Sequence, residues 1–256
     1  MLILAAESKT MALPHLLEPE VLAGHTPMYE ERAADIMSHL RDIPRPQLAA
    51  EIKLGEAATR QAAEWVYDFP DKRMGFRAID AFTGVVFKAL DAGSLTPEAK
   101  ERASRGLRII SSLYGWLRPD DIIKPYRLDF GAKLAPDNKA LNSYWKKDVT
   151  LALIRYLKEN DMAEIVNMLP ADASRCIDWK LVKHYARVVI PQFKTTDGNS
   201  LRTPHAGKLK RLRGEMIRDI LEQDIDSADA LRDLSGDNYM ALGETDYPDY
   251  FTYQTD

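Results

Sequence analysis

The chain has a single cysteine, Cys176, in 256 residues. One thiol cannot close an internal disulfide, so a disulfide-stapled scaffold is excluded and a reducing, cytoplasmic setting is expected. Cys176 stands just before Ile177 and Trp179, where it reads as a small buried hydrophobe rather than a reactive thiol. No apolar run approaches the roughly 18–20 residues that a membrane span needs, so no membrane partner is expected. The opening Met1-Leu2-Ile3-Leu4-Ala5-Ala6-Glu7 has no basic segment and too short an apolar stretch for a secretory signal. The five histidines, His15, His25, His39, His184 and His205, are scattered. Without Cys/His clusters or Glu-x-x-His spacing, neither a metal site nor a cofactor is expected. Walker, nucleophile-elbow and dinucleotide-binding glycine patterns are missing too, which removes most familiar enzyme classes.

An excess of positive charge is also absent. The 35 Lys and Arg stand against 39 Asp and Glu, a net charge of −4, which argues against indiscriminate nucleic-acid binding. That average hides a split. Arg202, Lys208, Lys210, Arg211, Arg213 and Arg218 crowd a segment opposed only by Glu215, whereas Asp219 to Asp256 is acidic with Arg232 its sole basic residue. A hydrophobic share of 45% is ordinary for a globular chain, and this length can bury a sizeable core.

Leu2 to Ala6 reads as a buried strand, with Lys9 beyond its carboxyl end as an anion contact, because ligands gather at that end of open sheets. Thr26-Pro27 opens a helix whose apolar face is Met28, Ala33, Ile36, Met37 and Leu40. Residues 46–69 are helical on both sides of Gly55 and read in one of two ways. One is a single helix that tolerates a glycine, and the other is a degenerate helix-hairpin-helix in which Lys53 and Arg60 flank a DNA phosphate. Phe76 to Leu90 reads as an amphipathic helix. Thr96-Pro97 starts another, carrying Arg102, Arg105 and Arg108.

Leu141 to Glu159 is expected to be helical and Glu164 to Leu169 a strand ending at Pro170. A hairpin follows, Tyr185 to Thr203, turning at Asp197-Gly198-Asn199. In the basic helix His205 to Asp224, Leu209, Leu212, Met216 and Ile220 form the apolar stripe, which turns Lys208, Arg211 and Arg218 to the other side. Asp226-Ser227 caps a further helix to Leu234, and Tyr247 to Tyr253 reads as an edge strand.

The chain is organised around LRIISSLYGWLRPDDIIKPYRLDFGAKL, Leu107 to Leu134. Leu107 to Ile110 reads as a helix end. Gly115 and Gly131 offer φ > 0, while Pro119 and Pro125 end regular structure. Tyr114, Trp116, Arg118, Lys124, Tyr126 and Arg127 stand between them. Aromatic faces and arginine forks suit an anionic, aromatic ligand, although the same arginines could simply pair with Asp120, Asp121 and Asp129 in a buried turn.

The block LYGWLRPDDIIKPYRLDFG resembles the central motif of the YaaA family of bacterial peroxide-stress proteins, long catalogued as a family of unknown function. The likeness is colinear from the Leu2–Lys9 opening to Arg213-Gly214. It implies an α+β fold over 1–256, a single compact domain of mixed helices and strands with a positively charged cleft. A helix-hairpin-helix subregion would lie at 46–69. It also implies a cytoplasmic DNA-binding protein, for single and double strands, that limits iron-dependent damage under peroxide stress. Carried over by position are Lys9, the block Leu113 to Gly131, Asn167, and Lys210, Arg211, Arg213 and Gly214. Two strand ends depart from the family pattern: Ala6-Glu7 replaces a Ser-Pro pair, and Leu169-Pro170-Ala171-Asp172-Ala173 replaces Ala-Ser-Asp-Glu-Tyr.

Two readings of function follow. In the first, Arg118, Lys124, Arg127, Lys208, Lys210, Arg211 and Arg213 contact DNA phosphates, while Tyr114, Trp116 or Tyr126 stacks on exposed bases. In the second, the chain is an enzyme acting on a small anionic substrate such as a nucleotide. Lys9, Arg118 and Arg127 would then clamp the anion, Glu7 or Asp129 would serve as base, and Tyr126 as donor.

Overall fold

Leu2–Ala6 forms strand β1, and Leu2 to Ala5 are buried, as expected of a strand covered on both faces. The computed structural model describes residues 1–12, 15–16, 25–52, 56–69, 74–197, 200–242 and 248–255. The remaining strands are β2 (His15–Leu16), β3 (Met74–Arg77), β4 (Leu107–Ser111), β5 (Gly115–Leu117), β6 (Ile122–Ile123), β7 (Glu164–Asn167), β8 (Arg187–Asp197), β9 (Ser200–Arg202), β10 (Met240–Ala241) and β11 (Tyr250–Thr255). The helices are α1 (Glu30–Asp42), α2 (Arg45–Ile52), α3 (Glu56–Asp68), α4 (Ala78–Ala81), α5 (Val85–Leu90), α6 (Pro97–Gly106), α7 (Leu141–Glu159), α8 (Ala171–Ser174), α9 (Trp179–Val182) and α10 (Ala206–Glu222).

The main sheet runs β10-β11-β8-β7-β1-β4-β5, with β9 paired to β8. Its centre, from β11 to β4, is parallel, and β5, β9 and β10 are antiparallel additions. From β1 the chain crosses first to β4 on one side and later to β7 on the other. The loops leaving β1 and its neighbours therefore diverge, and a crevice opens at their carboxyl ends. A small second sheet, β2-β3-β6, stands apart from it. The described residues form a single α+β domain around one continuous core that includes Trp116, Trp145, Tyr114 and Tyr253. Among them, no helix is long and apolar enough to cross a membrane.

Several expectations change. Leu107 to Ile110 belong to strand β4, not a helix end. Thr96 accepts the Ala99 N–H (3.2 Å) and Pro97 sits in the first turn, so α6 begins where expected, but it stops at Gly106. The wholly buried Leu-Arg-Ile-Ile-Ser that follows joins the ladder beside β1. Residues 76–90 are not one helix. The Thr83 and Ala12 N–H groups donate to Thr10 and Ala81 carbonyls (2.9 and 2.8 Å), which ties the segment to the chain leaving β1. Gly84 allows this: a Cβ there would lie 2.1 Å from Ser8 Oγ.

The helix expected from Asp226 is a single 3-10 turn, Asp229–Asp233. β11 is flanked by β8 and β10 and so is not an edge strand. Helix α1 starts at Glu30 rather than beside Thr26-Pro27, leaving Met28 exposed. Only Gly115 of the two motif glycines uses positive φ (+68°), in a turn where a Cβ would fall 2.6 Å from the Trp145 ring. α2 and α3 are the helices expected around Gly55, while the hairpin itself, with Lys53, lies outside the described residues.

Candidate functional site

The backbone of Glu7 extends the β1 ladder by one bond, its N–H donating to the Ile110 carbonyl (2.9 Å). Its side chain then meets the segment leaving β4. Ser112 donates twice, N–H to Oε2 (2.9 Å) and Oγ–H to Oε1 (2.5 Å), and the Tyr126 hydroxyl also donates to Oε2. Tyr126 is fixed in turn by Ser111 Oγ (2.7 Å), which accepts the N–H groups of Leu113 and Tyr114 (3.1 and 2.9 Å). The Trp145 indole donates to the Ser112 carbonyl (2.8 Å). Burial raises the Glu7 carboxyl to about 7, against the opposing pull of the Ser112 and Tyr126 hydrogen bonds. Burial and the facing Glu7 carboxylate push the Tyr126 phenol far up, so it stays a donor.

Glu7 lies in the crevice at the carboxyl ends of β1 and β7, a cleft of about 400 Å³. Ala5 to Thr10, Met168, Pro170 and Asp172 line it from the strand ends, and Leu128 to Phe130 from the central motif. Gly84 to Phe87 line it at the start of α5, and Lys210, Arg213 and Ile217 along one face of α10. Gly214 places that last face. A Cβ on it would sit 2.1 Å from the Val86 carbonyl and 2.8 Å from the Ala89 Cβ, so only glycine lets α10 lie directly on α5.

Lys9 pairs with Asp129 across the mouth. Among the described residues, Lys210 and Arg213 have neither a hydrogen-bond nor an ion-pair partner. Burial pulls the Arg213 guanidinium down, with only partial compensation from the charge of Asp172. The cleft therefore holds Lys9, Lys210 and Arg213 beside Glu7, Asp129 and Asp172, where the resemblance implies a positively charged cleft.

Of the residues singled out from sequence, Glu7, Lys9, Asp129, Lys210 and Arg213 meet in this cleft, and Tyr126 lies beneath it as the Glu7 donor. The others are elsewhere. Arg118 follows β5, which runs antiparallel to β4 with Leu117 opposite Ile109, so it lies towards the other end of the sheet. Its N–H donates to Asp121 Oδ2 (2.7 Å). It cannot share a clamp with Lys9. Lys124 Nζ donates to the Phe69 carbonyl and lies 4.8 Å over that ring, tying the motif to the end of α3. Arg211 pairs with Glu215 (2.6 Å).

Arg60 on α3 and Lys208 on α10 are each engaged with other groups of the protein. Arg127 is half-buried outside the cleft lining, its Nε buried without a partner among the described residues. Tyr114, Trp116 and Tyr126 are 1%, 1% and 2% exposed, so none is presented for stacking on a base. Cys176 is fully buried, and burial together with Glu7 and Asp172 pushes its thiol up, away from reactive thiolate. Sequence reasoning did not single out Ser112 or weigh Asp172 as a site residue. The polar pair Ser111-Ser112 closing a buried apolar run was the available signal. Among the described residues, no group of three or more His, Cys, Asp or Glu could hold a metal ion.

A family model described as peroxide stress protein YaaA matches residues 1–244. A UPF0246 protein of Burkholderia mallei is 32% identical over 256 residues, spanning 96% of each chain. A UPF0246 protein of Ralstonia pickettii is 33% identical over 93% of this chain and 94% of its own. One of Parabacteroides distasonis is 29% identical over 95% of this chain and all of its own.

Proposed function

This chain belongs to the peroxide stress protein YaaA family, and on that premise we propose that it is a cytoplasmic DNA-binding protein of the peroxide response. It holds single or double strands through their phosphates, without sequence preference, and limits iron-dependent damage by covering them. The observation that carries this reading is the pair Lys210 and Arg213, two cations lining an open cleft that have no hydrogen-bond or ion-pair partner among the described residues, with only the charge of Asp172 near Arg213. An incompletely compensated guanidinium in a partly desolvated position is unfavourable, and a phosphate oxygen relieves it with charge-assisted hydrogen bonds. The neighbourhood supports a path for the strand. Glu51, at the end of α2, accepts the Lys133 N–H (3.4 Å), which brings the helix pair around Gly55 beside the segment that follows Asp129. The buried aromatics leave backbone contact as the main source of affinity.

Fluorescence anisotropy of a labelled single-stranded oligonucleotide across a salt series tests this. Binding is expected to weaken steeply with salt. In Lys210→Ala/Arg213→Ala the log–log slope should be shallower by roughly 1–1.5, as removal of two phosphate contacts predicts. A folded protein that does not bind at low salt, or binds independently of salt, would overturn the reading.

A further inference from the structure

A phosphate-backbone binder needs a cationic surface, not an apolar-walled cleft with a carboxyl group at its floor. We propose that this cleft receives one nucleotide, its phosphate between Lys210 and Arg213 and its base against the apolar wall, within hydrogen-bond reach of Glu7. The inference rests on the DNA-binding reading in placing the same two cations on a phosphate. It adds an occupant for the space behind them.

Three features carry it. The volume, about 400 Å³, falls in the range that takes one small molecule. Val85 and Val86 present apolar surface to the cleft, backed by the edges of Phe87, Leu128, Phe130 and Met168, while Lys210 and Arg213 both come from α10. The third feature is the unused valence of Glu7. A carboxylate oxygen accepts two hydrogen bonds. Oε2 already takes two, from the Ser112 N–H and the Tyr126 hydroxyl, whereas Oε1 has one among the described residues, from the Ser112 Oγ–H. One acceptor position on a fixed carboxylate is thus left, in a residue that lines the cleft. An exocyclic amino or ring N–H group of a base matches it. Asp172 and the paired Asp129 hold down the net positive charge, so the site suits a phosphate attached to a neutral body better than a polyphosphate.

The nucleotide has two sources, a free mononucleotide or an unpaired residue of a strand lying on the rim. Isothermal titration calorimetry of the full chain with dAMP, dGMP, dCMP, dTMP and inorganic phosphate, beside anisotropy with a single-stranded oligonucleotide, separates them. A mononucleotide is expected to bind at least about tenfold more tightly than inorganic phosphate, as the base contacts require. The exposed, uncomplicated substitution Lys210→Ala should weaken every nucleotide about equally. The near-isosteric Glu7→Gln should change the ranking among bases while leaving phosphate binding unchanged.

Mononucleotide binding without oligonucleotide binding would support the cleft and remove the strand on the rim. Oligonucleotide binding with no mononucleotide binding up to millimolar concentration would overturn the nucleotide cleft and leave the DNA reading standing. Equal affinity for phosphate and nucleotides would overturn it also, leaving an anion site only. Loss of both binding activities would defeat both readings.

Discussion

Glu7 titrates near neutrality because its carboxyl, about 4.5 when unhindered, is raised to about 7 by burial in the folded chain. An acid with a raised folded pKa keeps its proton longer folded than unfolded. Stability is therefore greatest below 4.5 and falls as pH rises towards 7. Glu7→Gln should abolish that part of the slope. In urea unfolding at pH 8 the variant is expected to be more stable by about 1–3 kcal/mol, with little difference near pH 4.5. Parallel pH profiles for the two proteins would refute it.

Arg108 gives a second test. It is 2% exposed, donates to the Ser104 and Leu107 carbonyls (2.9 and 2.5 Å) and lies 4.0 Å over the Tyr156 ring. Arg108→Ala should cost about 2–4 kcal/mol in denaturant unfolding, through lost packing and two orphaned acceptors. At this scale Lys9 was legible, since a lysine beyond a short apolar run marks a strand's carboxyl end. Glu7 and Tyr126 were named for one site, but the bond between them and the part of Ser112 were not legible. Ser112 and Tyr126 come from far along the chain, and only the register of β1 on β4 brings them there.

Helix α10 is held by its closest approach to α5, and Gly214 is what permits it. Gly214→Ala places a methyl on a backbone carbonyl, which no side-chain rotation can clear. The variant is expected to lose about 2–4 kcal/mol of stability. It should also lose oligonucleotide affinity more than its thermal shift explains, because Lys210 and Arg213 move with the helix. An affinity unchanged in the folded variant would show that their placement does not matter. α7 and α10 were readable because a half-buried helix prints its 3.6-residue period on the sequence. β4 was not, because all five of its residues are buried and no alternation survives. Residues 76–90 kept a helical rhythm across a real break, since Gly84 is there for its approach to Ser8.

The whole molecule sets the site by topology. β4 and β7 flank β1 on opposite sides, so the loops at their carboxyl ends part and leave the cleft between them. The α+β class came from the family resemblance, and strand order is a matter of long-range pairing that no local period encodes. Topology also divides the central motif. Ser111 to Tyr114 and Tyr126 to Phe130 serve the cleft, while Arg118 to Asp121 packs at the other end, where the Ala78 and Ile79 N–H groups donate to the Asp121 and Pro119 carbonyls (2.8 and 3.0 Å). The most direct test of where nucleic acid lies is photocrosslinking of a single strand carrying 5-iododeoxyuridine, read by mass spectrometry of the linked peptides. The account predicts adducts on Phe87, Phe130 and the peptides holding Lys9 and Lys210 to Arg213. Adducts confined to the Arg118–Asp121 end of the sheet, with none around the cleft, would contradict it.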